Sequence, residues 1–354
     1  MLLIVKIGFL SKTLGFKGAQ LYKTLISPHN PVPGLIAQRM NMAGQPNAAL
    51  PDGLEIGGYR IVKKIAAGGF SIVYLARDAK GESVAIKEYL PASLASRKPG
   101  QLQPIVASQH IELYRVGLKC FLDEGRTLAS ISHPNVVSVL NFFRANDTVY
   151  MVMGHESGRS LQDHIARRKK SGSKPLVSEQ AIRWMFAQVM DALREVHTHK
   201  LLHLDLKPAN IYLRDDGTPI LLDFGAARQT LHADLSTLYP MYTPGFAAPE
   251  LSAKKGLGPW TDIYSIGATI FNCMVGVPPQ SAHERCRDDR MEHFYAELET
   301  LYTPELVQLV RASLMLDPLK RPQSVFTLQK SMRDGIASTA THPSLLSRLL
   351  RFMS

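Results

Sequence analysis

Three short stretches of this 354-residue chain gather side chains that could do chemistry. The first is the run Ile65, Ala66, Ala67, Gly68, Gly69, Phe70, Ser71, Ile72, Val73, where glycines let backbone N–H groups come close to phosphate oxygens. Standing alone, such a run is an ordinary hairpin. The second is Val84, Ala85, Ile86, Lys87, a strand-forming run closed by an amine. The third and richest is His203, Leu204, Asp205, Leu206, Lys207, Pro208, Ala209, Asn210, followed by Leu222, Asp223, Phe224, Gly225. Any one of these carboxylates is a commonplace surface group, but an ordered set of acid, amine, amide and acid is not. Cys120, Cys273 and Cys286 are too few and scattered for a disulfide framework and stand in no Cys/His metal spacing, which fits a reducing, cytoplasmic compartment.

Groups so far apart in sequence need a scaffold to bring them together, and 45% hydrophobic with 20% charged residues is the composition of a chain that can bury a large core or two coupled lobes. Prolines and glycines between residues 27 and 58 make that stretch read as a linker, with a compact domain beginning near Gly58. From Tyr59 the pattern is strand-like, through Ile72 to Ala76, a turn at Asp78 to Gly81, and Val84 to Ile86, the strand ending in Lys87. Val136 to Phe143 and Val149 to Met153, split by Asn146 and Asp147, predict a second hairpin. After Gly158 the period lengthens: Ile182, Met185, Phe186, Val189, Met190, Leu193 and Val196 share one helical face, with Ser178 as N-cap. The uncharged run from Ile263 to Pro279 is interrupted by Ser265, Asn272 and glycines, and predicts a helix buried in protein rather than in lipid.

The Lys87 strand, the run around Asp205 and the Asp223 segment resemble the VAIK, HRDxxxxN and DFG motifs of protein kinases, and the chain is similar to eukaryotic-like (Hanks-type) serine/threonine protein kinases of bacterial kind. The resemblance covers about residues 59–334 and its motifs occur in family order. It implies an α+β, bilobal fold with a small β-rich N-lobe over about 59–153 and a larger helical C-lobe over about 158–334, flanked by a basic extension and linker at 1–58 and a tail at 335–354. It implies an enzyme that moves the γ-phosphoryl group of ATP, with Mg2+, to hydroxyls of protein substrates. Such transfer needs a phosphate clamp, metal ligands and a group that orients the nucleophile. By resemblance Asp205 orients the hydroxyl proton, Lys207 steadies the phosphoryl group, Asn210 and Asp223 bind Mg2+, and Ile65, Gly68, Gly69, Val73, Ala85, Lys87, Glu124 and His155 surround the nucleotide. Glu124 corresponds to the glutamate that pairs with the strand lysine, and the stretch from Tyr89 to about Arg115 is an insertion before its helix. Ala248, Pro249 and Glu250 resemble the APE motif, with Arg321 as partner of Glu250, and Asp262 with Gly267 resembles the DxWxxG helix start. Lys207 and Thr243 match the serine/threonine pattern rather than the tyrosine one.

The chain also departs from the family. Ala66 and Ser71 replace two glycines of GxGxxGxV, and Leu204 replaces the arginine of HRD, so Thr230, Ser236 and Thr237 in the following loop lack one usual reader of a phosphate. Tyr212 would sit at the floor of the adenine pocket, where a smaller residue is commoner. A pseudokinase, a nucleotide- or partner-binding scaffold without turnover, is the alternative that these departures keep open. The net charge of +11 lies mainly in the tails, for residues 1–50 hold Lys6, Lys12, Lys17, Lys23 and Arg39 and no acid. Neither tail carries a nucleic-acid module, and the cluster Arg167, Arg168, Lys169, Lys170 reads as a solvated helix end, so no specific nucleic-acid partner is expected. Leu345, Leu346, Leu349, Leu350 and Met353 fall on one amphipathic helical face, whose weak peripheral contact with an anionic membrane is the most either end can support.

Overall fold

The computed structural model describes residues 47–224, 243–253 and 256–337. The readings made above for the extension before residue 47, for Gly225, Thr230, Ser236 and Thr237, and for the amphipathic tail lie outside them.

The strands of the N-lobe are β1 (Glu55–Ile56), β2 (Tyr59–Ala67), β3 (Ser71–Arg77), β4 (Ser83–Tyr89), a small hairpin of β5 (Ala95–Ser96) with β6 (Ile105–Val106), then β7 (Val139–Ala145) and β8 (Thr148–Gly154). Six of them form one antiparallel sheet in the order β1-β2-β3-β4-β8-β7. The β3–β4 turn is closed by the Asp78 side chain, which accepts from the amides of Lys80 and Glu82 at 2.9 and 2.8 Å. Asn146 and Asp147 both take the left-handed conformation, with φ of 49° and 56°, as a two-residue turn matched to strand twist requires. Strand β4 runs two residues past Lys87, the end expected for it. The linker reading also stops too late. Leu50 is buried in the N-lobe core and its amide donates to the Tyr74 hydroxyl, so the lobe begins about ten residues before the predicted Gly58. Prolines and glycines reported the local bends there but not the apolar anchors Leu50 and Ile56.

The hairpin of β5 and β6 lies in the insertion after β4, and helix α1 (Ile111–Ala129) follows it, starting before Arg115. Tyr89, Phe121, Tyr150 and Ile86 form the centre of this lobe's core. Val136 and Val137, read as the start of β7, instead bond to Leu221 in the C-lobe.

In the C-lobe, a small sheet is formed by β9 (Gly158–Ser160), β10 (Ile211–Arg214) and β11 (Pro219–Leu221), and its last two strands link the Asp205 run to the Asp223 segment. Helix α2 (Leu161–Lys170) ends in Arg167, Arg168, Lys169 and Lys170, cations placed at the negative end of the helix dipole. In α3 (Glu179–Thr198) the predicted apolar face is buried throughout, and Ser178 Oγ accepts from the Ala181 amide as its cap. Each such side chain contributes ~1.5–3 kcal/mol by leaving water.

After α4 (Pro249–Ala253) comes α5 (Pro259–Val275), buried from Thr261 to Met274 and stopped by Gly276 at φ 81°. Shorter helices follow, α6 (Ala282–Arg285), α7 (Met291–Leu298), α8 (Pro304–Ser313) and α9 (Val325–Ala337), with α8 packed on α5 and α9 on α3. Gly267 is where α5 meets the end of α8: a Cβ there would stand 2.6 Å from Ser313 Cβ. No helix among the described residues is long and apolar enough to cross a membrane.

Candidate active site

The Asp205 loop is held by backbone rather than by its own packing. The Asp262 carboxylate, fully buried at the start of α5, accepts from the amides of His203 at 2.9 Å and Leu204 at 2.8 Å, and bonds His197 Nε2 at 2.8 Å. Burial opposes its charge, yet the His197 bond and charge, with His203 and the Leu204 amide, hold the carboxyl below the usual carboxylate range. Leu204 has φ 61°, a left-handed backbone that costs a residue with a Cβ roughly 1–2 kcal/mol and is maintained here by the amide bond to Asp262. His203 is buried, packs against Phe224 with ring centres 4.6 Å apart and planes inclined by 41°, and bonds the Leu222 carbonyl. The two motif segments are thereby locked to each other.

On this frame three groups converge on Asp205. Lys207 Nζ donates to its Oδ2 at 2.7 Å, Asn210 Nδ2 to the same oxygen at 3.1 Å, and Thr243 Oγ1 to its Oδ1 at 3.2 Å. Lys207 also donates to Thr243 at 2.8 Å, tying the loop to the segment before α4. The Asp205 side chain stays 20% exposed, enough for a hydroxyl to reach it. In the sequence Thr243 marks only the substrate class, and no signal there places its hydroxyl against both Asp205 and Lys207.

Across the cleft, Val73 and Met151 are the direct ladder partners of Lys87, and Leu75 and Met153 those of Ala85, so these residues line one face of the sheet. Ile65 lies at a bulge in β2, and His155 follows the end of β8 half-buried, beside Glu156, whose carboxylate takes a two-pronged bond from Arg214 at 2.7 and 3.0 Å. Tyr212 on β10 is half-buried; burial, then Asp215, Asp163 and Glu156, push its hydroxyl up. Lys87 Nζ donates to Asp223 Oδ1 at 2.5 Å, a bridge between the lobes. Glu124 is buried on α1, one turn from Phe121, whose ring lies 6.0 Å from the Lys87 ammonium. Among the ion pairs of the described residues, however, Lys87 is joined to Asp223 and not to Glu124 as expected. A single ammonium has been drawn to the carboxylate in the cleft.

The residues fit Mg-ATP. Asp223 is 45% exposed and, with Asn210, offers hard oxygen donors. Asn210 spends its Nδ2 on Asp205, which keeps its carbonyl oxygen as acceptor. Mg2+ is ordinarily held by one or two such side chains plus phosphates, and among the described residues no group of three or more His, Cys, Asp or Glu forms a cage. A Cβ on Gly68 or Gly69 would meet nothing within 4 Å, so the loop has open space beside it.

Two features escaped sequence reading. Leu204 is buried in a small apolar cluster with Ala247, just before α4, and Leu251 within it. The other is a buried polar knot behind Lys87. Strand alternation turns Glu88 to the opposite face, where its carboxylate takes two bonds from Arg97 at 2.6 and 2.7 Å and one each from the hydroxyls of Tyr74 at 2.7 Å and Tyr150 at 2.8 Å. Burial, then the Glu88 charge, push both phenols up, so they remain donors. Farther off, Arg321 grips Glu250 at 2.7 and 3.0 Å, the expected pair.

The protein kinase domain model matches residues 59–332. The chain is 26% identical over 283 residues to the serine/threonine-protein kinase plk-1 of Caenorhabditis elegans, a match that covers 80% of this chain and 39% of that one. The solved structure of PpkA-294 in its apo form superposes with a TM-score of 0.70 at 33% identity, covering 80% of this chain and 99% of that chain. The kinase domain of Mycobacterium tuberculosis PknI shares the fold with a TM-score of 0.60 at 22% identity, over 81% of this chain and 99% of that one. The chain spans about two-fifths of the length of the curated relatives it matches, 39% and 40%.

Proposed function

This chain belongs to the protein kinase family, and from that premise we propose that it transfers the γ-phosphoryl group of Mg-ATP to serine and threonine hydroxyls of protein substrates. The observation that carries the reading is the convergence of Lys207, Asn210 and Thr243 on the Asp205 carboxylate, in a loop fixed from below by Asp262. Mg-ATP supplies the phosphoryl group and the cations that balance its charge. In this scheme Asp205 orients the hydroxyl and accepts its proton as the oxygen attacks phosphorus and the bond to the bridging oxygen breaks. Lys207 would meet the charge on the phosphoryl oxygens, Asn210 and Asp223 would hold the metal, and Lys87 would take a phosphate oxygen. Thr243, bonded to both Lys207 and Asp205, supports serine/threonine rather than tyrosine as acceptor. The scaffold alternative has no observation in its favour.

The apolar seat of Leu204 extends the proposal. Where a guanidinium would hold a phosphorylated loop, this chain holds Ala247 and Leu251 by contact with a leucine, which supports activity independent of phosphate on Thr230, Ser236 or Thr237. A reducing, cytoplasmic setting, expected from the few and scattered cysteines Cys120, Cys273 and Cys286, is part of this proposal and is checked by cell fractionation.

Transfer of radiolabelled phosphate from ATP to a serine- and threonine-containing protein tests the activity. Asp205→Ala is expected to lower turnover by roughly 10²–10⁴-fold, the usual contribution of a positioned acid or base. Turnover unchanged by that substitution, or label found on tyrosine, would overturn the reading.

A further inference from the structure

The insertion between β4 and α1 is anchored at both ends around the glycine loop. At its start, past the last β3–β4 pair of Ser71 with Tyr89, the ladder continues: Leu90 N–H donates to the Phe70 carbonyl and Ala92 N–H to the Gly69 carbonyl, both at 2.8 Å. Next comes one helical turn, in which the amides of Leu94 and Ala95 donate to the Pro91 carbonyl at 3.0 and 2.9 Å. At the far end Arg97, with its side chain at 0% exposure, closes on Glu88 and Tyr74 and also donates to the carbonyls of Ala48 and Leu102. Glu88 is the neighbour of Lys87 in β4. Residues 89–97 therefore leave β4, run along the glycine loop and return to β4 on its other face.

In a trans peptide the C=O and the next N–H point in opposite directions. With the Gly69 and Phe70 carbonyls held toward the insertion, the amides of Phe70 and Ser71 are turned away from it. Orientation of loop amides is what phosphate binding uses. We propose that residues 89–97 are a strap that presets the phosphate-covering loop for ATP, with Arg97 a positioning residue that acts through Glu88 and, by way of the Ala92 amide, on Gly69. A buried ion pair is not by itself a gain in stability over apolar packing, whereas fixing one arrangement is a role it fills well. The strap also offsets what Ala66 and Ser71 take from the loop, since two glycine positions of freedom are gone and one directed arrangement replaces them.

The inference rests on the proposed ATP-dependent activity, and its test separates the two. Ala92 is exposed, is not among the residues of positive φ, and stands first in its helical turn, where proline fits. Ala92→Pro thus deletes one N–H and little else. Steady-state kinetics in ATP and in protein substrate, with a melting curve, are measured for the full chain, for Ala92→Pro and for the paired change Glu88→Gln with Arg97→Met. Ala92→Pro is expected to raise KM for ATP about five-fold, the equivalent of one lost hydrogen bond, with KM for the protein substrate and the melting temperature little moved. The paired variant is expected to raise KM for ATP at least as much. A folded Ala92→Pro protein whose KM for ATP stays within about two-fold of the parent overturns the strap. So does a paired variant that loses thermal stability alone. A parent chain that neither binds nor turns over ATP overturns the activity, and the strap with it.

Discussion

The two walls of the cleft are held by opposite means. In the C-lobe the catalytic run is contiguous, its backbone amides are caught by one buried carboxylate, and Phe224 and His203 pack beneath it. In the N-lobe the glycine loop is exposed at Ala66, Ala67, Gly68 and Gly69, and besides its own bond from the Gly68 amide to the Ser71 carbonyl it is held from its edge by the amides of Leu90 and Ala92. A group that handles a proton must keep its place to a fraction of an ångström, while a cover must admit and release nucleotide.

If the catalytic wall depends on Asp262, removing that acceptor breaks the comparison most severely. Asp262→Ala strands the amides of His203 and Leu204 in the interior and is expected to cost roughly 3–5 kcal/mol of stability, with turnover lost in parallel, as read by urea unfolding and phosphate transfer. The pH dependence carries a sign. A folded-state carboxyl held below its ordinary value stabilises above that ordinary range and loses its contribution as pH falls through the folded value. The stability gap between the parent and Asp262→Asn is accordingly expected to narrow toward acid; a gap constant with pH would contradict the charged state.

Lys87 joins the two walls through Asp223, and its loss should strike nucleotide binding without unfolding either side. Lys87→Met is expected to lower kcat/KM for ATP roughly 10- to 150-fold, the range for a hydrogen bond to a charged group, with a melting temperature near that of the parent. A collapse of the fold instead would show that the bridge, not the lobes, keeps the walls in place. The smallest effect is expected from replacing Thr230, Ser236 and Thr237 together by alanine. With Leu204 already packed on Ala247 and Leu251, turnover should stay within about two-fold, because no guanidinium stands at Leu204 to make a charge-assisted bond to a phosphate there. Loss of activity that tracks phosphate on those residues would show that another cation reads it.

What was legible in the sequence was whatever is local or periodic. The face from Ile182 to Val196 and its Ser178 cap, the Asn146–Asp147 turn, the buried α5 and the order of the motifs are written in spacing and in residue type. So was the pairing of Arg321 with Glu250, though only through resemblance. The insertion showed its presence and not its purpose, because Arg97 and Glu88 are charged residue types that ordinarily face solvent, and only the approach of Tyr74, Tyr150 and the backbone of Ala48 and Leu102 removes water from them. Leu50 was hidden in the same way, as one apolar residue in a run of turn formers.

By itself, then, the sequence determined the helical faces, the turns and the order of the motif segments, since periodicity and motif spacing act within a few residues, while the two-lobed arrangement and the roles expected at the site came through resemblance. Tertiary structure alone decided that Lys87 pairs with Asp223, that Thr243 joins Asp205 to Lys207, and that Arg97 is buried behind the nucleotide loop. Those are choices among partners far apart in the chain, and such choices are made by burial and by competition for a single donor, which have no period to read.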